Sequence, residues 1–207
     1  MAGQSRPTRR RAYGITLLTS QHPDIRRLKR ASETPSIHGN KTWGSSFLIM
    51  DYLKKHPLPA GSRVLELGCG WGPAGIFCAK QFGAEVTGVD ADSAVFPYLE
   101  LHARENGVAI ATHCARFEKL TTGMLGQYDV IIGADICFWD ELAVVLKNLV
   151  NRAVRAGVKQ ILLADPGRPP FLDLADYCVD KHCAEFLAWS TTRPRRSTGC
   201  LISIQNA

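Results

Sequence analysis

The sequence has no apolar run approaching the ~18 residues of a membrane-spanning helix, so no membrane partner is expected. It has no Cys-x-x-Cys pair among its 7 cysteines, which removes the usual zinc-ribbon and dithiol spacings. The cysteine count is odd and implies no pairing scheme. Cys69, Cys78 and Cys137 sit in apolar segments, where a free thiol packs as a small hydrophobe. A reducing, cytoplasmic setting is expected. The tightest cluster is "CVDKHC", where Cys178 and His182 would share a helix face beside Cys183, and it is not read as a metal site. No apolar core follows the basic start "MAGQSRPTRRR", so no secretory signal is expected. Internal repeats are absent.

Acidic residues are scarce at one end only. Residues 1–30 carry eight cationic side chains against Asp24, a net +7, so the remaining chain holds −1 of the overall +6. The basicity therefore belongs to a segment and not to the domain. Such a segment can steer an acidic protein or a nucleic acid, or it can simply be a solvated tail. Residues 1–38 are read as this basic, partly irregular segment and 39–207 as one domain, long enough for a full core.

What is present is an alternation. "TWGSSFLIMDYLKKH" reads as a helix with Phe47, Leu48, Met50 and Leu53 on one stripe, stopped by Pro57. From Arg63 the short apolar runs "RVLELG", "AEVTGVD", "AIATHC", "YDVIIGAD" and "KQILLAD" alternate with helical segments, apart from "ARFEKLTTGMLGQ", which is too short and Gly-punctuated for a full helix. Two closing runs, "EFLAWSTTR" and "TGCLISIQN", flank a turn-rich "PRRS" and would pair as a hairpin. The expectation is an α/β, Rossmann-like three-layer sandwich: a mostly parallel seven-stranded sheet with a C-terminal antiparallel hairpin.

In such a fold a ligand binds beyond the carboxyl ends of the strands, where the first turn offers backbone N–H groups. Two glycine patterns overlap here. A dinucleotide turn counted from Gly68, directly after the strand, fails because Pro73 stands at its last glycine; it works only from Gly70, two residues late. The run Glu66-x-Gly68-x-Gly70-x-Gly72 starts where the strand ends. A carboxylate two residues before the first glycine repels a pyrophosphate but suits a cofactor with a cationic end, such as the amino group of S-adenosylmethionine. Gly75 then becomes a packing residue of the helix. Asp90 closes the second strand and can accept from two ribose hydroxyls, whereas Asp92 is the better cap for the next helix. Ala115 and Phe117 lie at the end of the third strand, where an adenine edge would sit; Phe117 suits either an adenine wall or the core.

The fourth strand runs through Ala134 to Asp135 and then turns aromatic. An acid there can orient an amine or hold a cationic substrate, and Phe138 and Trp139 can flank it, since ring faces attract methyl and ammonium groups. Asp140 and Glu141 can instead cap the following helix. "ADPGRPPF" ends the fifth strand, one strand too late for a nucleic-acid aminomethylase motif. Its Arg168 can recognise a substrate carboxylate or close the turn.

With these residues in place, residues 40–207 resemble the class I, seven-strand S-adenosylmethionine-dependent methyltransferases, through "VLELGCGWG" followed by "VTGVDAD". "TWGSSFLIMDYL", the acidic-x-x-aromatic run Asp135 to Phe138 and "DPGR" are similar to the protein-lysine methyltransferase and nicotinamide N-methylase-like group. The chain departs from that group in Phe138-Trp139-Asp140-Glu141, where a Tyr usually precedes Asp-Glu. The resemblance implies S-adenosylmethionine as cofactor, Trp43 packed beside it, and transfer to a protein lysine. A small-molecule N-methyltransferase and an RNA- or ribosome-associated protein docking through the basic N-terminus are the alternatives; a nicotinamide-dependent dehydrogenase is the remote one.

Overall fold

The computed structural model describes residues 7–31 and 41–206. The boundary expected at residue 38 and the cation Arg6 fall outside these residues.

Seven strands form one sheet: β3 (Arg63–Leu67), β4 (Glu85–Asp90), β5 (Ala111–Cys114), β6 (Val130–Ala134), β7 (Gln160–Asp165), β8 (Glu185–Thr191) and β9 (Ser197–Gln205), in the order β5-β4-β3-β6-β7-β9-β8. The first five run parallel; β9 pairs antiparallel with β7 and β8. This is the expected sheet with its closing hairpin. From β3 the chain steps one way to β4 and later the other way to β6, so the crevice lies beyond the carboxyl ends of β3 and β6.

Alternation along the strands makes the two faces. Val64, Val130, Ile132 and Leu162 point to the layer of α2 (Ser45–Lys55), α3 (Pro73–Phe82) and α4 (Phe96–Glu105). Leu65, Leu67, Ile131, Ile161 and Leu163 point to α6 (Asp140–Arg155) and α7 (Pro169–His182). Glu66 follows the parity of Val64 and so projects beneath α3. Between β5 and β6 there are only a 3-10 turn (Phe117–Lys119) and the short α5 (Thr122–Leu125), as the glycines of this stretch imply. Helix α2 buries more than the expected stripe: Ile49 and Tyr52 are also covered, because α2 lies against strands β6 to β9 as well as α3.

The N-terminal segment departs from expectation. Residues 9–31 are ordered as a hairpin, β1 (Arg9–Ala12) and β2 (Ile15–Leu18), followed by α1 (Pro23–Ala31). Tyr13 (φ 50°) and Gly14 (φ 81°) make the tight turn, whose left-handed pair matches strand twist. The Tyr13 hydroxyl donates to Asp51 at 3.2 Å and its ring meets Phe77 edge-on, which holds the turn on the domain. Strand β2 docks through side chains of α4 and of Asn106, which caps its C-terminus. Asn106 accepts from Thr16 N–H and donates to its carbonyl, and Leu18 N–H donates to His102 Nε2 at 3.1 Å. Ile15 and Ile25 are fully buried, each contributing about 1.5–3 kcal/mol. The segment is too short and too basic to show a period, so its apolar anchors are visible only against α3 and α4.

Candidate functional site

The loop after β3 carries three glycines in the left-handed region: Gly68 (φ 58°), Gly70 (φ 50°) and Gly72 (φ 67°). They do different work. A Cβ on Gly72 would lie 1.9 Å from Leu99 Cδ1, so this residue packs and starts α3. A Cβ on Gly70 would meet nothing within 4 Å, so its outer side faces open space while its N–H donates to Asp90 Oδ2 at 3.1 Å. Asp90 Oδ1 accepts from Asp92 N–H at 3.1 Å. Burial raises the Asp90 pKa, opposed by these N–H groups. Asp92 caps the following turn by accepting from Ala94 N–H at 2.9 Å, as expected.

These residues line a cavity of about 490 Å³. Glu66, Gly68, Gly70 and Asp90 form its inner part; Phe117 and Ala134 form a side; Trp43, Asp135, Phe138 and Trp139 form the far end. Three predicted site residues lie elsewhere. Gly72 is filled by Leu99. Ala115 packs on the core and ties its N–H to the Asp90 carbonyl, leaving Arg116, Phe117 and Glu118 to face the cavity. Arg168 stands behind the wall.

Two buried polar atoms on cavity-lining residues have no hydrogen-bond partner: Glu66 Oε2 and Trp71 Nε1. Desolvation pushes the Glu66 carboxyl up to about 8, with nearby Asp90 adding to it and the N–H groups of Gly75 and Ala74 opposing. Their opposing effect falls short of a formed hydrogen bond on Oε2. Gly75 must be small because a Cβ there would meet Glu66 Oε2 at 2.5 Å and Val86 at 3.0 Å, which is the close packing expected of it. An acceptor and a donor left unpaired at one end of a cavity, with Asp90 further along, fit a ligand with a cationic and polar end and a ribose. Trp71 escaped the sequence reading because it looks like a turn spacer. Its ring stacks on Tyr98 at 5.4 Å and shares a buried cluster with Leu18 and Ile25, which places the N-terminal hairpin and α1 one side chain from the cavity.

At the far end Asp135 is buried with φ 56°, an uncommon value for a residue other than glycine. Its Oδ2 accepts from Ser45 N–H at the start of α2 at 3.0 Å, and its Oδ1 from Arg168 Nη2 at 2.9 Å. Arg168 Nη1 also donates to the fully buried Asp165 at 2.5 Å. Asp165 accepts the N–H groups of Gly167 and Arg168, closing the turn. Arg168 thus donates to two protein carboxylates, the turn-closing arrangement that was expected of it as the alternative to holding a substrate carboxylate. Its guanidinium lies 4.3 Å from the Phe138 ring centre. Phe138 meets Trp43 at 5.5 Å and Trp139 at 5.6 Å, and Trp139 is 49% exposed at the mouth. Lys41 Nζ lies 3.9 Å from the Trp43 ring centre. Asp140 and Glu141 occupy the first turn of α6, favourable to its dipole.

The fold is similar to that of the class I, seven-strand S-adenosylmethionine-dependent methyltransferases, and the cavity lies at the ligand-binding crevice of such a sheet. Residues 64–157 match the family described as a methyltransferase domain. A ubiquinone biosynthesis O-methyltransferase of Chromobacterium violaceum is 36% identical over 84 residues, 41% of this chain and 36% of that protein. The electron transfer flavoprotein beta subunit lysine methyltransferase of Xenopus laevis is 28% identical over 130 residues, 62% of this chain and 52% of its own. A Thermus thermophilus 16S rRNA N2 G1207 methyltransferase, solved with S-adenosylmethionine and guanosine, superposes with TM-score 0.61 at 22% identity, over 83% of this chain and 45% of its own. A Pyrococcus abyssi tRNA (uracil-54, C5)-methyltransferase with S-adenosylhomocysteine gives TM-score 0.61 at 17% identity, over 95% and 43%. The chain spans between about a third and a half of the length of these relatives. Among the described residues no helix is long and apolar enough to cross a membrane, and no cluster of metal-binding side chains occurs.

Proposed function

We propose that this chain N-methylates a protein lysine, with S-adenosylmethionine as donor. The observation that carries this is the aromatic lining beside Asp135, where Phe138 and Trp139 reach the cavity wall and Trp139 is half-exposed. A cavity of about 490 Å³ is of the size one ligand of nucleoside type fills. The acceptor then reaches the cofactor through the aromatic mouth, as a long side chain can. The relative from Xenopus, a lysine methyltransferase by name, also aligns over more of this chain than the ubiquinone enzyme.

When bound, S-adenosylmethionine supplies a methyl group already activated on a sulfonium, so the protein's share is positioning and desolvation. Glu66 and Trp71 would hold the amino-acid end and Asp90 the ribose, with Phe117 and Trp43 packing beside the cofactor. The rings of Phe138 and Trp139 line the approach of the acceptor nitrogen. Asp135 fixes the end of β6 to α2, and its partner Arg168 offsets its charge. That pairing favours a neutral amine over an ammonium at this end, as in-line attack on a methyl carbon requires. Water takes the lysine proton before attack.

Transfer of tritiated methyl into a cell lysate tests this, with protein, RNA and metabolite fractions counted separately. Label in protein, recovered after hydrolysis as methyl-lysine, is the expected result; label in metabolites alone overturns it. The second reading, transfer to a small molecule, rests on the 36% identity to the ubiquinone enzyme. A cytoplasmic setting is part of the proposal, supported by seven cysteines that are all unpaired.

A further inference from the structure

The basic residues between Arg9 and Arg30 are not a tail. Arg9, Arg10 and Arg11 lie on β1, and Arg26, Arg27, Lys29 and Arg30 on α1; all seven are exposed. Two are paired: Arg9 with Glu105 at 2.8 Å and Arg27 with Asp24 at 2.9 Å. Arg26 donates to Gln21, a neutral partner. Arg10, Arg11, Lys29 and Arg30 make no ion pair among the described residues. The two elements are neighbours, since Glu105 of α4 receives Arg9 while α1 packs on α4 and Thr19, just before α1, bonds back to Thr8. The buried side of this unit, Leu18 and Ile25, rests on Trp71 of the cofactor loop. These cations are therefore carried on a folded unit anchored beside the cavity, with Arg10 on one face of β1 and Arg9 and Arg11 on the other.

We propose that β1 and α1 form a docking surface for the phosphate backbone of structured RNA. Two observations favour RNA over an acidic protein. No large apolar residue is exposed anywhere in residues 7–31; the five exposed ones among the described residues all lie beyond residue 138. A protein interface needs an apolar core, whereas nucleic-acid interfaces are polar and cationic. The cations are also arginine in six of seven cases, and a guanidinium grips phosphate oxygens in pairs. With no exposed aromatic residue among residues 7–31, bases have nothing to stack on, so recognition is of backbone and shape and not of sequence.

Fluorescence anisotropy of the full chain with a labelled RNA hairpin of mixed sequence tests this, with polyglutamate as the competing polyanion. The variant Arg10→Ala/Arg11→Ala/Lys29→Ala/Arg30→Ala removes the four unpaired cations. Its RNA affinity is expected to fall about tenfold or more, and the slope of log affinity against log salt to shrink by about 3. S-adenosylmethionine affinity and thermal midpoint are expected to stay unchanged, which shows that the unit is still folded. A companion variant, Arg10→Lys/Arg11→Lys/Arg30→Lys, should keep most of the salt slope. The proposal is overturned if RNA does not bind, if the quadruple variant binds it equally well, or if polyglutamate binds as tightly as RNA. None of these outcomes depends on which acceptor is methylated.

Discussion

Arg168 crosses from the loop after β7 and donates to Asp135 Oδ1 at 2.9 Å, tying together the ends of two adjacent strands. The same guanidinium holds Asp165, so one cation sits between two buried acids. The pair gives Asp135 a structural partner as well as a place at the cavity wall.

Asp135→Asn keeps an acceptor for Ser45 N–H and tolerates the left-handed backbone, but it removes the charge. Methyl transfer is expected to fall about tenfold or more, with the cofactor dissociation constant changed less than about threefold. Urea denaturation should show a loss of about 1–3 kcal/mol, from weakening a buried charged hydrogen bond.

Asp90→Ala should divide the other way. It removes the acceptor of the Gly70 and Asp92 N–H groups as well as the ribose contact proposed for it. Calorimetry should show S-adenosylmethionine binding weakened about tenfold or more. Equal losses of binding in the Asp90 and Asp135 variants would remove the division of roles.

Glu66 predicts a pH dependence. Its pKa is raised from 4.5 to about 8, so the folded chain holds a proton that the unfolded chain releases. The associated stability is present below about 4.5 and lost as pH rises through about 8. Without cofactor, wild-type protein should lose of the order of a few kcal/mol across that window relative to Glu66→Gln. A bound ammonium favours the ionised carboxylate, so cofactor binding near neutrality should release a proton. Calorimetry in two buffers of different ionisation enthalpy detects it, and Glu66→Gln should abolish that difference.

The glycines should rank by what a Cβ meets. Gly72→Ala places it 1.9 Å from Leu99 in a left-handed backbone and should cost the most. Gly75→Ala presses on Glu66 and should cost about 1–3 kcal/mol. Gly70→Ala, open on that side, should cost mainly the backbone strain, about 1–2 kcal/mol, yet block the cofactor. Thermal midpoints and cofactor affinity measured on the three variants check the order.

His102 couples the N-terminal hairpin to acid. Leu18 N–H makes Nε2 the acceptor, so Nδ1 carries the hydrogen toward the Tyr98 carbonyl. Burial lowers its pKa below 6.5. A lowered folded value means stability present above about 6.5 and lost as pH falls below it. The protection factor of the Leu18 amide, taken against its intrinsic exchange rate at each pH, should therefore fall on acidification before that of the β3 amides.

Much of this site was legible along the chain. Glu66 with the following glycines, Asp90 at a strand end and Asp135 with its aromatics are read from strand ends because a parallel sheet gathers those ends at one crevice. Arg168 was legible only as a charge in a turn. Its partners lie 3 and 33 residues away, and nothing local says that both are acids. Trp71 had no signal of its own, since its role depends on Tyr98, Leu18 and Ile25 closing around it.

The sequence by itself determined the sheet, its order of strands and helices, and the glycine turn that lines the cavity. Alternation of apolar residues and glycine freedom are local properties, and they suffice for that. Only the tertiary structure decided what the basic segment is and where Arg168 spends its charge. Both depend on burial and pairing between residues far apart in the chain, and such contacts leave no period and no spacing to read.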